Sequence, residues 1–154
     1  MIETPVITES ADRLAACVRI TVPREQIRTV MGPGLKEVHA ALAAQGVAAA
    51  GPWYTRHFRM DPKVFDFEIC VPTATPVAAS GRVEPSRLAS ARVARTVFHG
   101  NYDGLPEAWR AFDAWIASAG HEVEGSLWEV YAVGPESGAR PEDWRTELYR
   151  PLAG

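Results

Sequence analysis

A displacement of 74 positions lays the second half of this chain over the first. Gly46 falls on Gly120 and Gly51 on Gly125, and the helical stripe Leu35, Val38, Leu42 falls on Trp109, Phe112, Ile116. With five more residues in the second loop, Phe67-Glu68-Ile69-Cys70-Val71-Pro72 falls on Thr146-Glu147-Leu148-Tyr149-Arg150-Pro151. Repetition of this kind constrains a fold more than any composition does, because each copy must solve the same burial problem. Each half reads strand–helix–strand–strand: a first repeat over about 14–72, a connecting arm over 73–88 and a second repeat over about 89–152, together one domain spanning 1–154. Two such units side by side predict an α+β, pseudo-twofold, mostly antiparallel sheet with both helices on one face. The opposite face, or the seam between halves, then offers a groove for a ligand.

The individual elements follow from apolar periodicity and from glycine and proline punctuation. After a short lead, Leu14 to Val22 reads as a strand ended by Pro23. Arg24 to Gln45 reads as helix, split or kinked at Gly32-Pro33-Gly34 and stopped by Gly46. Strands follow over Trp53 to Phe58 and, after a turn at Asp61-Pro62, Val64 to Val71. Thr73 to Leu88 is rich in turn residues. Ala91 to Phe98 is a strand, His99 to Gly104 a turn, and Leu105 to Ala119 a helix stopped by Gly120. The last strands are Gly125 to Val133 and Trp144 to Arg150, either side of a polar loop.

Composition narrows the function. A net charge of −3 with acids and bases mixed along the chain supplies no basic stripe for nucleic acid. No apolar run approaches the roughly 20 residues of a membrane helix, and Met1-Ile2-Glu3-Thr4-Pro5 lacks the basic start and apolar centre of a signal peptide. The expected setting is the cytoplasm. Cys17 and Cys70 lie in apolar, strand-like segments outside any CxxC pattern, and read as buried free thiols of a reducing compartment, with a disulfide the lesser alternative. His39, His57, His99 and His121 show no metal-ligand spacing, and no phosphate loop or cofactor motif is present, so no metal and no cofactor are expected. His99, before Gly100, reads as a turn hydrogen-bonder.

One residue breaks the pattern of its element. In Gly125-Ser126-Leu127-Trp128-Glu129-Val130-Tyr131-Ala132-Val133 a single carboxylate stands among eight neutral residues. Alternation puts Leu127, Glu129, Tyr131 and Val133 on one side, and Trp128 and Val130 on the other, where Trp128 is expected to pack under the helices. An acid buried unpaired is costly. Either an internal cation such as Arg56 or Arg145 satisfies it, or it waits for a ligand. Its counterpart in the first repeat is Thr55, so this charge has no acidic twin. The paired Glu68 and Glu147, by contrast, read as acids that serve the fold.

Further stretches bear on the same question: Phe65-Asp66-Phe67-Glu68 with Val71-Pro72, Gly81-Arg82-Val83, His99-Gly100-Asn101-Tyr102, Ala108-Trp109, Trp128-Glu129-Val130-Tyr131, and Trp144-Arg145-Thr146-Glu147-Leu148 with Pro151-Leu152. In this order and spacing the chain resembles the GyrI-like small-molecule-binding family, which includes the effector-binding domains of AraC- and MerR-type regulators. The resemblance implies an eight-stranded, saddle-like sheet whose groove takes aromatic, often cationic, amphiphilic compounds, with Glu129 at its floor as counter-ion. It further implies that Tyr102 and Tyr131 line the groove, with Trp144 as a wall. Trp53 is a second groove candidate. His57 joins them because its repeat twin is Tyr131, whereas Trp109 and Trp115 read as core. Tyr149 stands where related sequences often carry a smaller polar residue. A related SOUL-like fold binds haem, but no axial cysteine or methionine motif supports that here. Nothing corresponds to a helix-turn-helix, so direct contact with nucleic acid is not expected.

Such a pocket suits multidrug binding, since a cation restores the electrostatics of a buried acid and aromatic faces add about 0.5–2 kcal/mol each without demanding one ligand shape. A buried carboxyl group can also deliver or accept a proton, so Glu129 with Tyr102 or Tyr131 could act as general acid or base. Some members of the family add water to the cyclopropane of aromatic DNA-alkylating compounds, and a hydrolase of that kind is the main alternative. A sensor or protein-interaction module is a third. The motif leaves binding and catalysis open, and the oligomeric state unread.

Overall fold

The computed structural model describes residues 1–60 and 63–153; the turn expected at Asp61-Pro62 lies outside the described residues. In chain order the elements are β1 (Val6–Glu9), β2 (Arg13–Pro23), α1 (Ile27–Gln45), β3 (Tyr54–Met60), β4 (Val64–Thr73), β5 (Val83–Leu88), β6 (Arg92–His99), α2 (Leu105–Ser118), β7 (Leu127–Val133) and β8 (Arg145–Pro151). Single 3-10 turns stand at Arg24–Gln26, Tyr102–Gly104, Pro135–Ser137 and Pro141–Asp143. The fold is α+β, with eight strands paired antiparallel and two helices. It divides into an amino-half unit, Ala11–Ser90, and a carboxy-half unit, Met1–Ser10 with Ala91–Gly154.

In the amino-half unit the strand order is β3-β4-β2-β5. Alternation sends Ala16, Val18 and Ile20 of β2 and Phe67, Ile69 and Val71 of β4 to one face, where they bury against Val38, Ala41 and Leu42 of α1. Fully burying a side chain such as Phe67 is worth about 1.5–3 kcal/mol. α1 runs unbroken through Gly32-Pro33-Gly34. A Cβ on Gly34 would come within 2.5 Å of Ile69 Cδ1, so only glycine lets the helix lie this close to the sheet. The helix stops at Gly46, whose φ of 68° is the left-handed cap. The segment 73–88 is more than a connecting arm: Val83–Leu88 forms β5, paired with β2. Its proline, Pro85, fits because β5 ends the strand order of this unit.

The free thiols expected at Cys17 and Cys70 are instead joined in a disulfide. The two residues are direct partners in the β2–β4 ladder, with Cα atoms 4.3 Å apart, the close spacing of a non-hydrogen-bonded pair. Register, which a single sequence does not print, brings them together, and the thiol argument for a reducing compartment goes with it.

In the carboxy-half unit the order is β1-β6-β8-β7. The short lead therefore contains a strand, β1, whose partner is β6. Trp109, Phe112 and Ile116 of α2 bury against Ala94, Phe98, Leu127 and Leu148. Leu127 thus lies on the helix side, and Trp128 lies on the other, stacked on Tyr149 with ring centroids 5.3 Å apart. The expectation that Trp128 packs under a helix is reversed, because the period-two pattern fixes which residues share a face but not which face the helix covers.

Both hairpins carry an irregularity at matching places. The β3–β4 register shifts between His57 and Arg59, and the β7–β8 register shifts between Tyr131 and Val133. The second bulge is why Val133 does not continue the face of Glu129 and Tyr131. No helix among the described residues is long and apolar enough to cross a membrane.

Candidate functional site

Glu129 sits mid-strand in β7, opposite Leu148 of β8, on the side covered by α2. It is 7% exposed. Its carboxylate accepts two hydrogen bonds: Trp109 Nε1–H donates to Oε1 at 2.6 Å and the Tyr131 hydroxyl donates to Oε2 at 2.7 Å. These short distances are those of charge-assisted bonds. Both donors are neutral. No arginine, lysine or histidine forms an ion pair with Glu129 among the described residues, so the internal pairing considered with Arg56 or Arg145 is not the one found. Hydrogen bonds satisfy the carboxylate in part, while no counter-charge stands beside it among the described residues.

The tyrosines and Trp144 assemble around this pair. Tyr102 meets Tyr131 edge-on at 5.6 Å and lies tilted against Trp144 at 5.0 Å. Local chemistry places Tyr102: Asn101 Oδ1 accepts from the Asp103 amide at 2.9 Å to start the 3-10 turn, and Gly104 passes over Phe98, whose Cζ would lie 2.5 Å from a Cβ there. Trp144 is pinned by its indole N–H, which donates to Ala139 O at 3.1 Å. Burial, with Glu136 and Glu129 adding to it, pushes the Tyr102 phenol up to about 12, so its proton stays on through any working pH. The Tyr102 hydroxyl and Thr146 Oγ1 are both buried and without a hydrogen-bond partner among the described residues.

Of the residues singled out in the sequence, Glu129, Tyr131, Tyr102 and Trp144 thus come together within the carboxy-half unit. Trp53 and His57 belong to the amino-half unit. There Trp53 packs against the core, and His57 stacks on Phe67 at 5.2 Å with its Nε2 2.9 Å from the Thr55 hydroxyl. Two participants were missed. Trp109 read as core, which it is, yet its indole nitrogen also reaches the carboxylate. Thr146 stood out only as part of the stretch Trp144-Arg145-Thr146-Glu147-Leu148, and the structure places it opposite Tyr131 in the ladder.

Elsewhere, Cys17, Glu68 and Cys70 bring their ligand atoms within 4.8 Å of one another, but the two sulfurs are bonded to each other. His99 is more than a turn residue: its Nε2 meets Glu3 Oε2 at 2.7 Å. Glu147 accepts from the Tyr149 hydroxyl at 2.7 Å and pairs with Arg95. A concavity of about 550 Å³ lies at the end of α2, lined among others by Asp113, Ile116, His121 and Arg150, and it shares no residue with the cluster around Glu129.

Comparisons with known proteins agree on the architecture. A family model described as a GyrI-like small molecule binding domain matches residues 4–153. The fold is similar to the C-terminal domain of EcmrR, at 19% identity and a TM-score of 0.86, covering 97% of each chain. It is equally similar to that region of EcmrR in a DNA complex, at 18% identity and a TM-score of 0.85, where 97% of this chain spans 57% of the longer one. SAV2435 bound to tetraphenylphosphonium matches at 14% identity and 0.68, covering 99% of this chain and 95% of that one. A hydrolase from Listeria innocua matches at 11% and 0.69, covering 97% and 91%. No curated protein matches the sequence.

Proposed function

Because the chain belongs to the GyrI-like small molecule binding domain family, we propose that it captures planar, hydrophobic, cationic small molecules with Glu129 as their counter-ion. The observation that carries this reading is a buried carboxylate whose two partners, Trp109 and Tyr131, are both neutral. A buried charge without a counter-charge is held at an electrostatic cost. A ligand cation removes that cost, and a neutral molecule of the same shape does not. Tyr102, Tyr131 and Trp144 offer π faces to such a ligand. SAV2435, of similar fold, was bound to tetraphenylphosphonium, which shares the positive charge and the aromatic surface of the ligands proposed but not their planarity.

Tryptophan fluorescence gives the test, since Trp109 touches the proposed counter-ion. Titration with planar aromatic cations and with neutral compounds of matched shape should show the cations weakened at least about tenfold by Glu129→Gln, equivalent to about 1.4 kcal/mol. The neutral compounds should be unaffected. Equal behaviour of the two sets in the variant overturns the reading.

A second reading, hydrolysis, is favoured by the phenol of Tyr102, which stays protonated and has no hydrogen-bond partner among the described residues while its ring lies against Tyr131. Glu129 would activate water and Tyr102 would donate its hydrogen bond to the carbonyl of a cyclopropane-bearing aromatic substrate. Water-adduct formation abolished by Glu129→Gln and by Tyr102→Phe would establish turnover. Its absence leaves binding as the function.

A further inference from the structure

The polar atoms around Glu129 say more about a ligand than its charge. An ionised carboxylate can accept about four hydrogen bonds, and Glu129 accepts two, one at each oxygen. Close by in the ladder, Thr146 faces Tyr131 directly, is wholly buried, and its hydroxyl has no partner among the described residues. The Tyr102 hydroxyl is in the same condition, with its ring edge-on to Tyr131. Two partnerless hydroxyls and unused carboxylate capacity thus flank one tyrosine. Gly134 keeps one of them in place, since a Cβ there would come within 2.6 Å of the Tyr102 oxygen.

Buried polar groups discriminate most strongly when a ligand leaves them unpaired. A quaternary ammonium or phosphonium ion offers charge but no hydrogen to donate. It would meet Glu129 and leave both hydroxyls bare. A protonated amine or an amidinium offers the same charge and N–H groups that the hydroxyl oxygens and the carboxylate can accept.

We propose that this site selects cations bearing N–H groups over quaternary cations of equal charge and similar size, with Tyr102 and Thr146 as the specificity-determining residues and Gly134 positioning the first. The proposal rests on the cation-binding reading and deepens it. It sets this chain apart from a pocket that needs only a lipophilic positive charge.

The test is calorimetric titration of the intact chain with two probes. One is 9-aminoacridinium. The other is 9-dimethylamino-10-methylacridinium, the same three-ring cation with every N–H methylated. The first should bind at least about tenfold tighter, and Tyr102→Phe with Thr146→Val should narrow that ratio to below about threefold. Gly134→Ala should narrow it in the same direction by displacing the phenol. A role confined to folding would lower both affinities together and leave the ratio alone. Equal affinities in the wild type overturn the proposal, and this outcome needs no variant to fold. If Glu129→Gln then weakens both probes, the cation reading survives that loss; if it weakens neither, the reading and the proposal fall together.

Discussion

The two units treat corresponding positions in opposite ways. On the helix side, β7 carries Glu129 and Tyr131 where β3 carries Thr55 and His57. Both pairs are hydrogen-bonded along the strand, at 2.7 Å and 2.9 Å. Yet one is built on a carboxylate that also recruits Trp109, where the first repeat has Leu35, while the other joins a hydroxyl to an imidazole. On the opposite side, the ladder position joined by a disulfide in the amino-half unit, Cys17 with Cys70, is occupied in the carboxy-half unit by Arg95 and Tyr149. Their contact is a 3.1 Å hydrogen bond. The amino-half unit carries a hydroxyl–imidazole pair and a cross-link in the places where the carboxy-half unit carries a carboxylate and an arginine–tyrosine contact. Two units of similar strand arrangement can thus differ in where they place a cross-link and where they place a buried acid.

That contrast can be broken by experiment. The largest effect should come from the cross-link. Closing a loop of 53 residues corresponds to about 4 kcal/mol of chain entropy. The Cys17→Ala, Cys70→Ala variant should therefore lose roughly 3–4 kcal/mol in denaturant unfolding, against about 1 kcal/mol for Tyr149→Phe at the matching place. Equal losses would show that the copies are not divided in this way.

Next comes the carboxylate. Beyond its effect on cation affinity, Glu129→Leu should cost about 1–3 kcal/mol, because it leaves the buried Trp109 indole N–H and Tyr131 hydroxyl without their acceptor. Thr55→Val should cost about 1 kcal/mol and leave ligand affinity alone. A Thr55→Val that weakens cation binding as much as Glu129→Leu would erase the asymmetry.

Trp109→Phe keeps the ring in the core and removes the donor. It should cost about 1.5–2 kcal/mol in unfolding free energy, the range for a hydrogen bond to a charged group. In the Glu129→Leu background the same Trp109→Phe change should cost much less, since the bond has already lost its acceptor.

The smallest effects are in pH, and they have opposite signs. In the amino-half unit the Arg19 guanidinium holds Asp66 below its ordinary value of 3.8. The unfolded chain then binds the proton more readily, so this pair stabilises the fold above pH 3.8 and the gain is lost as pH falls through the lower folded value. In the carboxy-half unit burial holds Asp113 above 3.8, with Arg150 opposing it. Here the folded chain binds the proton more readily, so stability is lost as pH rises through that window and regained as it falls. Asp66→Asn and Asp113→Asn should tilt the acid limb of a stability–pH profile in opposite directions by a few tenths of a kcal/mol, since solvent reaches both carboxyls and screens their ion pairs.

Much of this was legible in the residues. The period-two and helical patterns placed β2, β3, β4, β6, β7, β8 and both helices to within a few positions, and a lone acid in an apolar strand marked Glu129. What escaped has one physical cause. β1 and β5 are short, poor in apolar residues and at the ends of their units' strand orders, so neither needed a buried face that would show in sequence. The disulfide and the Trp109 bond depend on which residues face each other across strands and from helix to sheet. Period alone leaves that choice free. Thr146 is invisible for the same reason, being an ordinary strand residue until its opposite number is known.

The strand exchange carries a consequence for how the chain is made. Val6–Glu9 pairs with Arg92–His99, not with the residues that follow it, whereas Ala11–Ser90 is continuous. During synthesis the amino-half segment is delivered whole while the residues ahead of it still lack their partner strand. Val6–Glu9 is therefore docked only after its partner strand, some eighty residues further along the chain, has been made.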